Sequence, residues 1–256
     1  MKRRSFLRNS GFAAGAAMII PAQGATLLSN SEKSILELRV YAIARGGNNK
    51  GILLNYYRDA LMPVFKNKGV EFLFFDEYSR EEPVKLYVLI AYSSLSLYAE
   101  VQASIWNDAA YLKAAQNYNE LLPASSPFSR YETYLMEAFD RWPSLVLPAA
   151  DKKGFELRIY ESSNEEFGRR KVLMFNKEEI DVFIKKGLEP VFFGRILAGR
   201  YMPALMYMIG LPDVESRDKT WEAFNTSSEW AEMRVKPEYA NTVSNIRRMF
   251  LLPVSV

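Results

Sequence analysis

The chain has 256 residues, 49% of them hydrophobic and 14% aromatic, which is enough to bury one large core or two modest ones and argues against disorder. It contains neither cysteine nor histidine, which excludes disulfides, thiolate nucleophiles, Ser–His triads, Cys/His zinc sites and a His-ligated haem. A metal would have to be held by oxygens alone, and no acidic loop carries that spacing, so neither a metal site nor a cofactor ligand set is expected.

The chain opens MKRRSFLRNSGFAAGAAMIIPAQGA, with Lys2, Arg3, Arg4 and Arg8 ahead of a short apolar run from Gly11 to Ile20. That run falls well short of the roughly 20 apolar residues a bilayer span needs. Arg3-Arg4-Ser5-Phe6-Leu7-Arg8 has the form of a twin-arginine export motif, so residues 1–25 read as an export signal. The expectation is a periplasmic or secreted protein whose mature chain begins between Thr26 and Ser34 and keeps no membrane span. Without residues 1–25 the chain has 29 Lys/Arg against 30 Asp/Glu, a net charge of −1 instead of +3. Nucleic-acid binding thereby loses its electrostatic motive.

Ile35–Ile43 alternates as a strand does, and Ile52–Lys68 reads as a helix that stops at Gly69, with Pro63 expected to kink it. Val70–Tyr78 and Val84–Tyr92 read as strands, residues 95–121 as helical pieces, and Arg130–Phe139 as a strand. Residues 140–153, with Pro143 and Pro148, read as a linker. The same order then returns: strand 154–161, helix 165–186, strands 188–198 and 203–211, helix 215–235, strand 244–253. Glu37-Leu-Arg-Val-Tyr41 recurs as Glu156-Leu-Arg-Ile-Tyr160, and Leu86-Tyr-Val-Leu-Ile90 as Leu205-Met-Tyr-Met-Ile209. These matches in one order indicate a duplication. The predicted fold is α+β: two tandem ferredoxin-like βαββαβ units, 35–139 and 154–256, packed sheet to sheet as a pseudo-dimeric α/β barrel.

Side chains alternate along a strand. Leu38 and Val40, with Leu157 and Ile159, are expected under the helices; Glu37, Arg39 and Tyr41, with Glu156, Arg158 and Tyr160, are expected to face the opposite sheet. Two readings of these six residues stand side by side. Glu and Arg neutralise each other and hold the sheets in register, because a buried ion needs a partner; or the Arg and Tyr side chains line a cavity and bind an anionic or carbonyl-bearing small molecule. In either case the first strip is expected to matter more for holding the sheets together, and the second more for a ligand.

The second half, from ELRIY through Arg217-Asp-Lys-Thr-Trp-Glu-Ala-Phe224 to Ser228-Glu229-Trp230, resembles the NIPSNAP family of the dimeric α/β-barrel group. The first half is more divergent: Tyr98–Ile105 lacks the Arg and Trp of Arg217–Phe224. The resemblance implies an uncharacterised ligand-binding module for a small, partly apolar molecule. Alternatively it implies an enzyme like the cofactor-independent monooxygenases or isomerases of that barrel group. There Arg39 or Arg158 would stabilise an oxyanion, Tyr41 or Tyr160 would hydrogen-bond it, and Glu37 or Glu156 would be the base. The absence of His weighs against the enzyme. A third implication is an interaction scaffold, for which no peptide groove or charged docking face is legible. Trp221 and Phe224 share a helix face and read as core, Arg217 as a surface or acid-paired cation, and Thr226-Ser-Ser-Glu229 as a capping box. Outer strands left to be paired make homo-oligomerisation an expectation.

Overall fold

A computed structural model describes residues 33–79 and 81–256; the expected export signal lies outside them. The strands are β1 (Ile35–Ile43), β2 (Glu71–Glu77), β3 (Lys85–Tyr92), β4 (Phe128–Ala138), β5 (Gly154–Glu161), β6 (Glu189–Ala198), β7 (Ala204–Leu211) and β8 (Asn245–Pro253). They close an antiparallel barrel in the order β1-β3-β2-β8-β5-β7-β6-β4. Each half contributes four consecutive staves, and helical segments follow the first and third strand of each half.

The two halves are sewn together at β2–β8, where Phe75 faces Pro253 and Glu77 faces Leu251, and at β4–β6, where Met136 faces Ile196 and Ala138 faces Gly194. Closure therefore pairs part of the edges that the sequence reading left for a second copy to cover. What stays unpaired on one side is the overhang of β4 before residue 135 and that of β8 before residue 250.

Both long helices break their ladder at the same place. Asn49–Tyr56 passes through a π turn, Tyr57–Leu61, into Met62–Lys66. Glu165–Met174 passes through Phe175–Glu179 into Ile180–Lys185. Pro63 follows the first π turn, but the second has no proline near it, so proline does not cause the break. In each case the turn opens on a fully buried aromatic ring, Tyr57 or Phe175, and a π turn brings one more residue onto the sheet-facing side. Both helices end as expected at a left-handed glycine. Gly69 (φ 72°) and Gly187 (φ 78°) are followed by Val70 N–H bonding to Phe65 O at 3.1 Å and Leu188 N–H to Phe183 O at 3.0 Å, the pattern of a Schellman cap.

Three apolar clusters result. One fills the barrel interior and draws on both halves, with Leu36, Leu38 and Met136 beside Phe155, Leu157 and Met208. The others lie between each half-sheet and its own helices, around Tyr57, Phe65 and Phe74 in the first half and Phe175, Phe183 and Trp221 in the second. No helix among the described residues is long and apolar enough to cross a membrane.

Candidate functional site

The repeated strips face the opposite way from the sequence expectation. Leu38, Val40, Leu157 and Ile159 point into the barrel, while Glu37, Arg39, Tyr41, Glu156, Arg158 and Tyr160 point outward against the helices. The reason is where partners exist. Next to the inner face of these strands the opposite sheet offers mainly Leu, Met and Phe, whereas the outer layer offers hydroxyls, an indole and a guanidinium. A buried carboxylate goes where donors can satisfy it.

In the first half Arg39 Nε and Nη2 donate to Glu37 at 2.7 and 3.1 Å; Tyr92 and Thr133 hydroxyls each donate to Glu37 at 3.1 Å. Tyr41 and Tyr57 hydroxyls pair at 2.8 Å. In the second half Glu156, fully buried, accepts from Arg158 Nε at 2.7 Å, Arg217 Nε at 3.2 Å and Trp221 Nε1 at 2.7 Å. The Arg158 guanidinium lies 3.8 Å from the Trp221 ring centre, a cation–π contact, and its Nη1 reaches the Tyr160 and Tyr207 hydroxyls at 3.1 and 3.3 Å. Burial pushes Tyr57 and Tyr207 well above the usual phenol range, so both stay protonated.

Beside this network a second buried ion pair, Lys171 to Glu179 at 2.6 Å, spans the π turn, with the ammonium 4.6 Å from the Phe175 ring centre. Trp221 and Phe224 are core, as expected, although the indole N–H also serves Glu156. The helix cap shifts by one residue: Ser227 rather than Thr226 accepts from Trp230 N–H, at 3.2 Å, and Thr226 instead donates to Glu222 O at 2.8 Å. The Glu229 carboxylate turns to Lys185 and Lys186.

The barrel interior is not filled to its end. A cavity of about 520 Å³ opens there, and none of the six strip residues lines it. Its floor is apolar and comes from both sheets: Leu38 and Val40 on one side, Leu157, Ile159, Met206 and Met249 on the other. Tyr87 and Tyr134 form the walls. Burial raises both phenols, Tyr134 to about 12 and Tyr87 well above its ordinary range with help from Glu77, so both stay protonated at ordinary pH; the Tyr87 hydroxyl donates to Glu77 at 3.3 Å.

The mouth is charged. Lys85, Arg130, Arg200, Arg247 and Arg248 line it together with Glu132. Lys85 pairs with Glu77 at 2.9 Å, Arg200 with Glu132 at 2.7 Å and Arg247 with Glu161 at 2.5 Å. The β6–β7 hairpin carries Tyr201 over the opening at φ 67°, and Arg247 stacks 3.8 Å from its ring centre. Sequence reasoning missed these residues, although part of the signal was legible: Arg130, Glu132 and Tyr134 alternate on β4, in register with Ala42, Val40 and Leu38, so they share the inner face.

Residues 155–256 match the family model for NIPSNAP. No curated protein matches the chain in sequence. Among solved structures it is similar to a monooxygenase candidate from Lactobacillus acidophilus NCFM, with 11% identity and a TM-score of 0.58 over 87% of this chain and 94% of that one. It is equally similar to a monooxygenase candidate from Fusobacterium nucleatum subsp. nucleatum ATCC 25586, with 9% identity and a TM-score of 0.58 over 88% and 94%. An uncharacterized NIPSNAP-like domain protein from Burkholderia xenovorans, 20% identical, aligns over 41% of this chain and 88% of that one with a TM-score of 0.37. At these identities the likeness to the two longer structures is one of fold, and the fold is that of the dimeric α/β-barrel group, closed here within a single chain.

Proposed function

We propose that the chain is an exported NIPSNAP-type protein that binds a small, partly apolar molecule between its two sheets, inside the barrel. The observation carrying this reading is the 520 Å³ cavity with an apolar floor built by both halves and a polar mouth, a size and make-up common to small-molecule sites. The halves repeat the order of elements, the π turn and the glycine cap, which supports reading them as tandem ferredoxin-like units of common origin. Export rests on the twin-arginine form of residues 3–8. A homo-oligomer would use the β4 and β8 overhangs, which are the strand edges left to pair. The enzyme reading placed its base and oxyanion donors on Glu37, Arg39, Tyr41 and their counterparts, and these face the helices instead of the cavity.

The test is titration with N-phenyl-1-naphthylamine, a neutral probe that fluoresces in apolar surroundings. Saturable binding of one probe per chain is expected, and loss of that binding in Val40→Phe, which fills the floor. No saturable binding, or binding unchanged by Val40→Phe, would refute the reading.

A further inference from the structure

The floor of the cavity says that part of its ligand is apolar; the mouth says what the other part is. Four cations on inward-facing positions, Lys85, Arg130, Arg200 and Arg247, line it, against Glu132 and the two acids, Glu77 and Glu161, that pair with Lys85 and Arg247; Arg248, opposite the outward-facing Arg158, is not among them. The local balance, four cations against three acids, is thus +1 in a chain that carries −1 after residue 25. A low-dielectric hollow with that excess focuses a positive potential on its opening.

Two of the guanidiniums are available for work. Arg130, on the inner face of β4 opposite Ala42, is exposed at the mouth and has no acidic partner among the described residues. Arg247 donates its Nε to Glu161, and its guanidinium carbon lies 3.8 Å from the centre of the Tyr201 ring. Its two terminal nitrogens donate to no protein acceptor among the described residues. A guanidinium fixed in this way presents the paired donors that suit a planar or tetrahedral oxyanion. Tyr201 itself adopts the left-handed conformation (φ 67°) that a side chain with a Cβ avoids, and such strain persists where surrounding structure holds it, commonly at binding sites.

Resting on the cavity reading above, we propose that the ligand is an amphipathic oxyanion. Its apolar body lies against Leu38, Val40, Leu157 and Ile159, and its carboxylate- or phosphate-type head is held at the mouth by Arg130 and Arg247. The Tyr134 phenol, protonated at ordinary pH, lines the same cavity and donates to a polar atom between head and body, whereas the Tyr87 hydroxyl is taken by Glu77 at 3.3 Å.

The experiment compares two probes that share one body: 1-anilinonaphthalene-8-sulfonate, which carries an anionic head, and neutral N-phenyl-1-naphthylamine. The anionic probe should bind about tenfold more tightly to the full chain, the size of one charge-assisted hydrogen bond. Arg130→Gln should erase most of that advantage while leaving the neutral probe within about twofold. Raising salt from about 50 to about 500 mM should weaken the anionic probe alone. Displacement by dodecanoate and dodecyl phosphate, each better than dodecanol, reads which head is preferred. If the neutral probe binds and the anionic one is no tighter, or if Arg130→Gln weakens both alike, the oxyanion proposal is overturned and the cavity reading stands. If neither probe binds, the cavity reading falls first.

Discussion

Replacing Glu156 by Gln keeps the side chain's shape and removes only its charge. Glu156 is fully buried and accepts from two guanidiniums, Arg158 at 2.7 Å and Arg217 at 3.2 Å, and from the Trp221 indole at 2.7 Å. The Arg158 side chain is 7% exposed, so water cannot replace the lost charge. Breaking a buried pair by neutralising one member costs about 3–5 kcal/mol. In a folded unit of this size, that is a fall of roughly 6–20 °C in melting temperature. Glu37→Gln is the control. Two of Glu37's donors are neutral hydroxyls, Tyr92 and Thr133, and Arg39 is more open, at 13%. Its cost should be closer to that of one charged hydrogen bond, about 1.5–3 kcal/mol. Urea unfolding followed by tryptophan fluorescence measures both. The reasoning fails if Glu156→Gln loses less than about 1 kcal/mol, or if Glu37→Gln is the more damaging change. The expected ranking reverses the sequence-based one, in which the first strip held the sheets together, because the second strip is the more deeply buried.

Further outcomes follow from individual residues. Arg3→Lys with Arg4→Lys should strand precursor in the cytoplasm, read by cell fractionation; undiminished export would replace the twin-arginine assignment with an ordinary Sec signal. The Glu229 carboxyl is held at about 2, below its ordinary 4.5, chiefly by Lys185, then by its own backbone N–H and by Lys186. Its folded pKa is depressed, so its contribution is present above pH 4.5 and fades as pH falls towards 2. Melting temperature against pH should therefore decline less steeply over that window in Glu229→Gln, and identical profiles would contradict the assignment. At Gly154 a Cβ would come within 2.8 Å of Val214 N and 2.9 Å of the Asp213 carbonyl carbon. Gly154→Ala should lose on the order of 1–3 kcal/mol. Gly168 lies inside a helix, where a Cβ would meet nothing nearer than 3.6 Å, and Gly168→Ala should gain about 0.5–1 kcal/mol; urea unfolding of the pair, with the opposite sign at either site, would refute the contact argument.

The strands were legible nearly to the residue because each carries its own period and its own stops. Ile35–Ile43 matches its predicted span, and Gly69 and Gly187 mark the helix ends where the sequence put them. Which face of a strand looks inward was not legible. In a half-sheet covered by helices on one side and by another sheet on the other, both faces are buried, so alternation gives parity without direction. Leu38 and Val40 suit a helix layer as well as they suit a barrel interior, so assigning them to the helices turns Glu37 and Glu156 the wrong way. Their real partners, Tyr92, Thr133, Arg217 and Trp221, lie 55 to 96 residues away. The cavity residues were hidden for a related reason. Arg130 and Arg247 look like solvated charges until closure of the barrel brings them to one mouth.

The outer networks of the two halves meet the same physical need in different ways. Each repeated strand ends in a tyrosine whose hydroxyl needs a partner in an apolar layer. In the first half that partner is Tyr57, from the π turn of the helix, and the residue across β3 from Arg39 is Val88. In the second half the π turn supplies Phe175 instead, and the residue across β7 from Arg158 is Tyr207, whose hydroxyl pairs with Tyr160 at 2.9 Å. The partner phenol stands on the helix in one half and on the strand in the other, and the corresponding place opposite holds an apolar side chain, Val88 or Phe175. A buried hydroxyl without a partner costs about 1–3 kcal/mol, and each half supplies that partner from a different element. The strips are therefore turned to the helices in both halves, and that orientation leaves the short apolar side chains of Leu38, Val40, Leu157 and Ile159, and room, at the floor of the cavity inside the barrel.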